Sequence, residues 1–393
     1  MTDERLRSNI WKFYAVKACS GAAFFVPVIV LFWQQNGLSM TQIMLLQTLF
    51  SIAVVLLEVP TGYLADRIGR KQTLAYAGLF MFVSVVIYGL GDGFAMFLVA
   101  ELLWAVGISL QSGTDAAIVY DTLKGLGEEH AYKRIWGHAM FLYLLSDAVA
   151  NIAGGFLGVT NYRWTFFAMA PLLFLTIPLS ASMEEPKHYK RVVKKGYLHD
   201  LLTIIKETVI RQPRVRWIII YASVVAAFNG AVLWLYQPYL QLSGIQIAYF
   251  GVVFASFQLV AALSSQYAHK VEAALGKQFS LAMLIVLVGG SYLLMSNFIW
   301  LFSFSFAFLQ QFVRGFSKVV VSDYLNEMTT SDIRATILSV ESLGERLVYA
   351  LIIPFVGLMA DAYTLVQTLT VVGVTVLVLC VPLLLVLRKT HVI

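Results

Sequence analysis

The sequence predicts an all-α integral membrane protein of twelve transmembrane helices, arranged as two six-helix pseudo-repeats. Three observations predict it. Apolar residues fill 59% of the 393 positions and charged residues only 13%, with a mean hydropathy of +0.78. A water-soluble domain of this length has no use for so much apolar side chain. The apolar residues fall into runs of about 20, the length that crosses a bilayer as a helix. Short segments also recur at an offset of about 200 residues, as duplicated halves do.

In order, the spans are predicted over 10–34, 41–65, 72–91, 94–121, 133–158, 163–183, 214–240, 245–269, 277–295, 298–325, 333–360 and 364–387. Met1 to Asn9 is polar and lacks a cleavage site behind a short apolar core, so the first helix is read as the insertion signal. Lysine and arginine collect on one side of the predicted membrane: Arg5, Arg7 and Lys12; Arg67, Arg70 and Lys71; Lys124, Lys133 and Arg134; the 187–216 cluster; Lys270, Lys277, Arg334, Arg388 and Lys389. The opposite loops hold Arg163 alone. Both termini are therefore expected in the cytoplasm of a multi-pass plasma-membrane protein. This clustering also accounts for the net charge of +6 without a nucleic-acid partner. Gly91-Asp92-Gly93 is an outer connection of almost no length.

The predicted organisation is an N-terminal bundle over 1–183, a cytoplasmic linker over 184–213 and a C-terminal bundle over 214–393. The linker opens on Glu184, Glu185 and Pro186 and continues into Lys187, Lys190, Arg191, Lys194 and Lys195. Leu198, Leu201, Leu202, Ile205 and Val209 then follow at helical spacing. That stretch reads either as an amphipathic helix on anionic lipid or as a solvated linker. The repeat is visible where Leu38-Ser39-Met40-Thr41-Gln42-Ile43 returns as Leu242-Ser243-Gly244-Ile245-Gln246-Ile247. Ser112-Gly113 with Asp121 is echoed by Arg314-Gly315 with Asp323, Arg134 by Arg334, and Gly69-Arg70-Lys71 more faintly by Gly276-Lys277.

Between the second and third spans lies Glu58-Val-Pro-Thr-Gly-Tyr-Leu-Ala-Asp-Arg-Ile-Gly-Arg-Lys71. It resembles the G-x-x-x-D-R-x-G-R-K loop of the major facilitator superfamily, with Gly62, Asp66, Arg67, Gly69, Arg70 and Lys71 at the matching positions. The plainer reading is an ordinary positive-inside loop. The resemblance implies two parallel six-helix repeats, a substrate site near the midplane between them and alternating access. It also implies a conformational switch. Asp66 would face the start of the eleventh helix near Ser331 and Asp332, and Arg70 would pair with Asp121. Helices 1, 4, 7 and 10 would line the cavity.

Charge at membrane depth is costly, so each instance is a functional candidate. Glu101 and Asp115 lie on the fourth span, Asp147 on the fifth, Glu341 and Glu345 on the eleventh, and Glu58 one turn before the loop motif. All six are candidate proton-coupling groups, and pairing with cations on other helices is the competing reading. Glu101 stands where the superfamily often places an arginine. Arg314 and Lys318, one turn apart on the tenth span, are candidate substrate contacts. Lys318 also reads as a lysine that snorkels, and Lys17 carries the same ambiguity. Trp104, Phe24, Phe228, Asn229, Trp234, Gln237 and Gln311 read as an aromatic and neutral polar lining suited to a lipophilic cargo, and packing or interface anchoring is the competing reading of the aromatic ones. In the fifth span Gly154 and Gly155 match the end of the glycine-rich run of drug/proton antiporters, whereas Ala150 and Asn151 replace its Gly-Pro. Close helix packing is the other reading of these glycines.

No H-E-x-x-H, phosphate loop or G-x-S-x-G is present, and the six histidines lack ligand spacing, so an enzyme is not expected. Cys19 and Cys380 lie in apolar runs at opposite ends of the chain, which predicts neither disulfide nor metal site. No cofactor is expected. The expected partners are a small-molecule substrate, protons and membrane lipids, with the chain monomeric. The function that results is a secondary active transporter, read as proton-coupled efflux of lipophilic or amphipathic compounds. The alternative is proton-coupled transport of an organic anion such as a siderophore or metabolite.

Overall fold

The computed structural model describes residues 3–186, 212–330 and 333–390, and regular structure among them is helical throughout. The helices are α1 (Asp3–Gly21), α2 (Ile29–Gln35), α3 (Met40–Ile68), α4 (Arg70–Leu90), α5 (Gly93–Gln111), α6 (Thr114–Leu126), α7 (Tyr132–Thr160), α8 (Arg163–Ala181), α9 (Pro213–Ala231), α10 (Leu233–Leu242), α11 (Phe250–Asn297), α12 (Ala307–Met328), α13 (Arg334–Ala362) and α14 (Leu365–Lys389). Nine stretches among the described residues are long and apolar enough to cross a membrane. The longest, Ile247–Asn297, divides at Gly276, whose φ of 74° and ψ of 167° leave the helical region. With that division, the α1–α2 pair and the more charged α12, the helices are consistent with twelve spans. The predicted linker helix lies outside the described residues.

Two compact units emerge. Unit one holds Met1–Leu38, Leu49–Arg191 and Gln246–Ala255; unit two holds Ser39–Thr48, Val192–Ile245 and Ser256–Ile393. In unit one α4 packs against both α5 and α8, and α1 against α7 and α8. At the basic end of this unit Phe13, Val16, Leu74, Ile118, Leu123 and Ile135 form a continuous apolar core. In unit two α9 is the central helix, packed on α12, α13 and α14.

Three spans differ from the continuous helices predicted. The first is interrupted over residues 22–28, between α1 and α2. The fourth breaks at Ser112–Gly113, where Gly113 takes φ 74°, a value glycine reaches without a Cβ clash. A single turn residue, Val232, separates α9 from α10. The first helix also starts seven residues earlier than predicted, at Asp3. The helix of the tenth span starts nine residues later than predicted, at Ala307, behind a short 3-10 turn over Ser303–Phe306.

The two glycine junctions that echo each other faintly in sequence share one geometry. Gly69 has φ 99° and ψ 155° and Gly276 φ 74° and ψ 167°, a region essentially restricted to glycine. In each unit the cation directly after the glycine meets an acid on the helix that ends the unit's fourth span. Arg70 Nε donates to Asp121 Oδ2 at 2.9 Å, and Lys277 Nζ pairs with Glu327. On the opposite side Arg163 ties down the α4–α5 turn. It donates to the carbonyls of Gly89 at 2.8 Å and Gly91 at 3.0 Å and to Asn36 Oδ1 at 3.1 Å, and pairs with Asp92. The carbonyls at the end of α4 thus gain a cation, which the helix dipole favours there.

Candidate functional site

Within unit one the loop motif is held from three directions. Arg70 reaches Asp121 and lies 3.7 Å from Asp66. The third contact comes from the start of the linker. The Glu185 carboxylate accepts the backbone N–H groups of Arg70 at 2.7 Å and Lys71 at 3.0 Å. It caps α4 at the end where free N–H groups and the helix dipole favour an anion. A Cβ on Gly69 would stand 3.1 Å from that carboxylate, so the glycine also makes room for the cap. Asn9 fixes the neighbouring residue by exchanging two bonds with the Glu184 backbone, both 2.8 Å. Gly62 and Arg67 are exposed and Lys71 half-buried. Ser331 and Asp332 lie outside the described residues.

The break in the fourth span places Asp115 in the first turn of α6. There its Oδ2 accepts the Lys17 ammonium at 2.7 Å, with the two side chains 8% and 13% exposed. Lys17 Nζ is also 5.9 Å from the ring centre of Phe13, 5.8 Å from Trp136 and 5.5 Å from Tyr143. One carboxylate and three aromatic faces therefore surround the ammonium, each attractive to a cation. The snorkelling read for Lys17 does not describe this placement, since the side chain turns into the unit.

The remaining candidates of unit one are distributed. Glu101 is buried between α4 and α5, and its Oε1 accepts the Tyr88 hydroxyl at 2.7 Å. The Tyr88 ring stacks on Phe97 and Phe166, so this carboxyl sits within an aromatic cluster of the unit. Asp147 is buried on α7 and accepts Asn151 Nδ2 at 2.8 Å. Trp104 meets Phe25 edge to face at 6.0 Å, and Phe24, in the interruption of the first span, is half-buried. Glu58 is exposed on α3. Gly154 faces the backbone of that interruption: a Cβ there would lie 1.9 Å from the Phe24 carbonyl oxygen. Gly155 likewise faces the backbone at Ala248 and Gly251.

Unit two carries two groupings. In the first the Tyr236 hydroxyl donates to Gln310 Oε1 at 2.8 Å and accepts Gln311 Nε2 at 2.9 Å. Arg314, on the same helix, donates to Gln258 Oε1. Trp234 Nε1 donates to the Tyr349 hydroxyl at 2.6 Å. The Phe228 carbonyl accepts the Tyr292 hydroxyl at 2.7 Å, and Gln237 is buried. Asn229 Oδ1 and Gln311 Oε1 are buried with no hydrogen-bond partner among the described residues. In the second grouping Glu341 is 8% exposed and Glu345, one turn further along α13, is half-buried. A cavity of about 530 Å³ opens beside them, lined by His269, Glu272, Lys318, Asp323, Asn326 and Glu341 among others. A water-sized space touches both glutamates.

Sequence reasoning singled out Lys17, Asp115, Glu341 and Glu345 without placing the aromatic box or the cavity. It missed Glu185, Tyr88, Gln258 and Gln310. Glu185 was visible only as the second of two adjacent acids after an apolar run. The three neutral side chains matter through partners 13, 56 and 74 residues away, a separation that no local pattern encodes.

A helical protein with two units, interrupted spans and charges set at membrane depth has the architecture of a membrane transporter. The family model of the Major Facilitator Superfamily matches residues 14–274, and the chain belongs to that superfamily. It is 27% identical over 251 residues to the uncharacterized MFS-type transporter YxaM of Bacillus subtilis (strain 168), covering 62% of this chain and 61% of that one. It is 26% identical over 196 residues to the multidrug efflux protein YfmO of the same organism, covering 46% and 45%. The matched region thus spans less than two thirds of either relative. Among solved structures the nucleoside transporter NupG superposes with a TM-score of 0.81 at 12% identity, over 99% of both chains. At that identity the likeness concerns the fold alone.

Proposed function

We propose that this multi-pass membrane transporter is a proton-coupled exporter of lipophilic or amphipathic compounds, working by alternating access with both termini in the cytoplasm. The observation that carries the coupling is the Glu341–Glu345 pair. Two carboxyl groups one helical turn apart that touch the same water-sized space repel each other when both are ionised, which favours a state in which one of them holds a proton. Glu341 is buried yet lines the larger cavity, so a proton taken up by the pair has a route to water. Lys318 lines the same cavity as Glu341 and supplies a positive charge there when the proton departs. Export is supported by the similarity to YfmO and by the aromatic character of the unit-one grouping.

The test is proton release from purified protein at fixed pH as lipophilic cations, neutral drugs and organic anions are added in turn. Wild type is expected to release about one proton per bound substrate, since the pair shares one. Glu341→Gln and Glu345→Gln are each expected to abolish that release while substrate binding persists. Wild-type binding without any release removes the coupling. A second reading, transport of an organic anion, is favoured by Lys318, an exposed cation on the cavity wall. Loss of anion uptake in Lys318→Ala and Arg314→Ala, with neutral compounds unaffected, would support it.

A further inference from the structure

The box around Lys17 has more recognition chemistry than an internal ion pair needs. A lysine–aspartate pair is complete with one carboxylate and some hydrogen-bonding neighbours. Here the ammonium also faces Phe13, Trp136 and Tyr143, all within 6 Å of their ring centres. An aromatic cage closed by a carboxylate is the arrangement that recognises organic ammonium groups, because ring quadrupoles attract a cation that cannot hydrogen-bond to them. The three rings come from two helices, Phe13 from α1 and Trp136 and Tyr143 from α7, while Asp115 comes from the broken fourth span. Such convergence specifies a volume of a given size and charge.

We propose that this box is a subsite for organic ammonium compounds, filled in the present conformation by the protein's own Lys17. The lysine acts as a tethered competitor. It keeps the Asp115 carboxylate neutralised while no cargo is bound, and it must withdraw before a quaternary or tertiary ammonium enters. Tyr143, 36% exposed, forms the open edge through which such a group arrives. Asp147, one turn further along α7, adds a second carboxylate on the same helix. The Lys17 charge therefore sets the balance: with it in place an entering cation meets a compensated site, and without it an unpaired carboxylate. The proposal rests on the exporter reading and deepens it by naming the cargo class.

The experiment measures binding of benzyltrimethylammonium, with the neutral N,N-dimethylbenzamide as control, to purified full-length protein. Quenching of tryptophan fluorescence and radioligand binding serve as readouts. Lys17→Met keeps the side-chain length and removes the charge, so it is expected to bind the ammonium about tenfold tighter than wild type. The amide should change by less than about twofold, because it carries no charge for the rings to attract. The gain should vanish in Lys17→Met/Asp115→Asn. An ammonium affinity unchanged by Lys17→Met overturns the proposal. So does an equal gain for the amide, since that reports only an opened apolar hole. If Lys17→Met does not elute as a folded species, Lys17→Gln is held to the same outcomes. Export of a neutral lipophilic dye by wild-type proteoliposomes is scored separately. Its absence sinks the exporter reading and leaves the binding result standing, whereas a failed ammonium gain sinks the box and leaves export standing.

Discussion

Gly154→Ala probes the packing that holds the interruption of the first span in place. A Cβ at this position would lie 1.9 Å from the Phe24 carbonyl oxygen and 2.8 Å from its carbon. A carbon and a carbonyl oxygen normally approach no closer than about 3.3 Å, so α7 and the 22–28 segment must separate by about 1.4 Å. The obstacle is backbone, which cannot rotate away as a side-chain tip does. Overpacking of this kind costs about 3 kcal/mol, and for a unit of this size that corresponds to a melting temperature lower by about 6–12 °C. Gly137→Ala, on the same helix, is the control: a Cβ there would meet nothing within 4 Å. It should stabilise slightly, because alanine is the better helix former. The assay is thermal melting of both purified variants, followed by size-exclusion fluorescence. A Gly154→Ala protein melting within about 2 °C of wild type would refute the close-approach reasoning and leave Gly154 without a packing role.

Two further outcomes follow from the loop motif. Glu185→Gln removes the charge of the α4 cap and one of its two acceptor oxygens, so the helix end should weaken by about 1 kcal/mol after allowance for the exposed setting. Hydrogen exchange at the Arg70 and Lys71 amides should quicken about fivefold, and unchanged exchange would show that the cap contributes nothing. Asp66→Asn should insert normally yet transport several-fold more slowly, if Asp66 belongs to the switch that the superfamily resemblance implies; full transport by a normally inserted variant would remove it from that role.

Much of this fold can be read from the sequence, because membrane helices are governed by a strong one-dimensional rule. A run of about 20 apolar residues has few alternatives to a helix. The Arg70–Asp121 contact was reachable too, since the loop motif fixed Arg70 and the superfamily resemblance implied its partner at the end of the fourth span. The breaks were harder. Gly113 lies in a stretch apolar enough to pass as one helix, and a lone glycine is tolerated inside a helix at modest cost. Whether such a residue takes φ 74° or stays helical depends on neighbours that sequence alone does not bring together. The same limit hid the Lys17 box. Phe13 and Lys17 are a helical turn apart on α1, but Trp136 and Tyr143 join them only because α1 and α7 pack face to face. Glu341 and Glu345 were legible as a pair from spacing alone, whereas the cavity beside them depends on the arrangement of α11, α12 and α13.

The glycine junctions at Gly69 and Gly276 leave the chain no slack. One residue turns it from the end of one membrane helix into the start of the next, in a backbone state that other residues do not share. Such a joint behaves as a bracket: it fixes where two rods meet and cannot lengthen when they tilt. Any change in path length during a transport cycle must then be absorbed elsewhere along the chain. Among the described residues the interruptions, at 22–28, at Gly113 and at Val232, have spare travel, the first two of them beside Lys17 and Asp115. A protein braced at its joints and jointed within its rods would convert small movements at those interruptions into rotation of whole helix pairs.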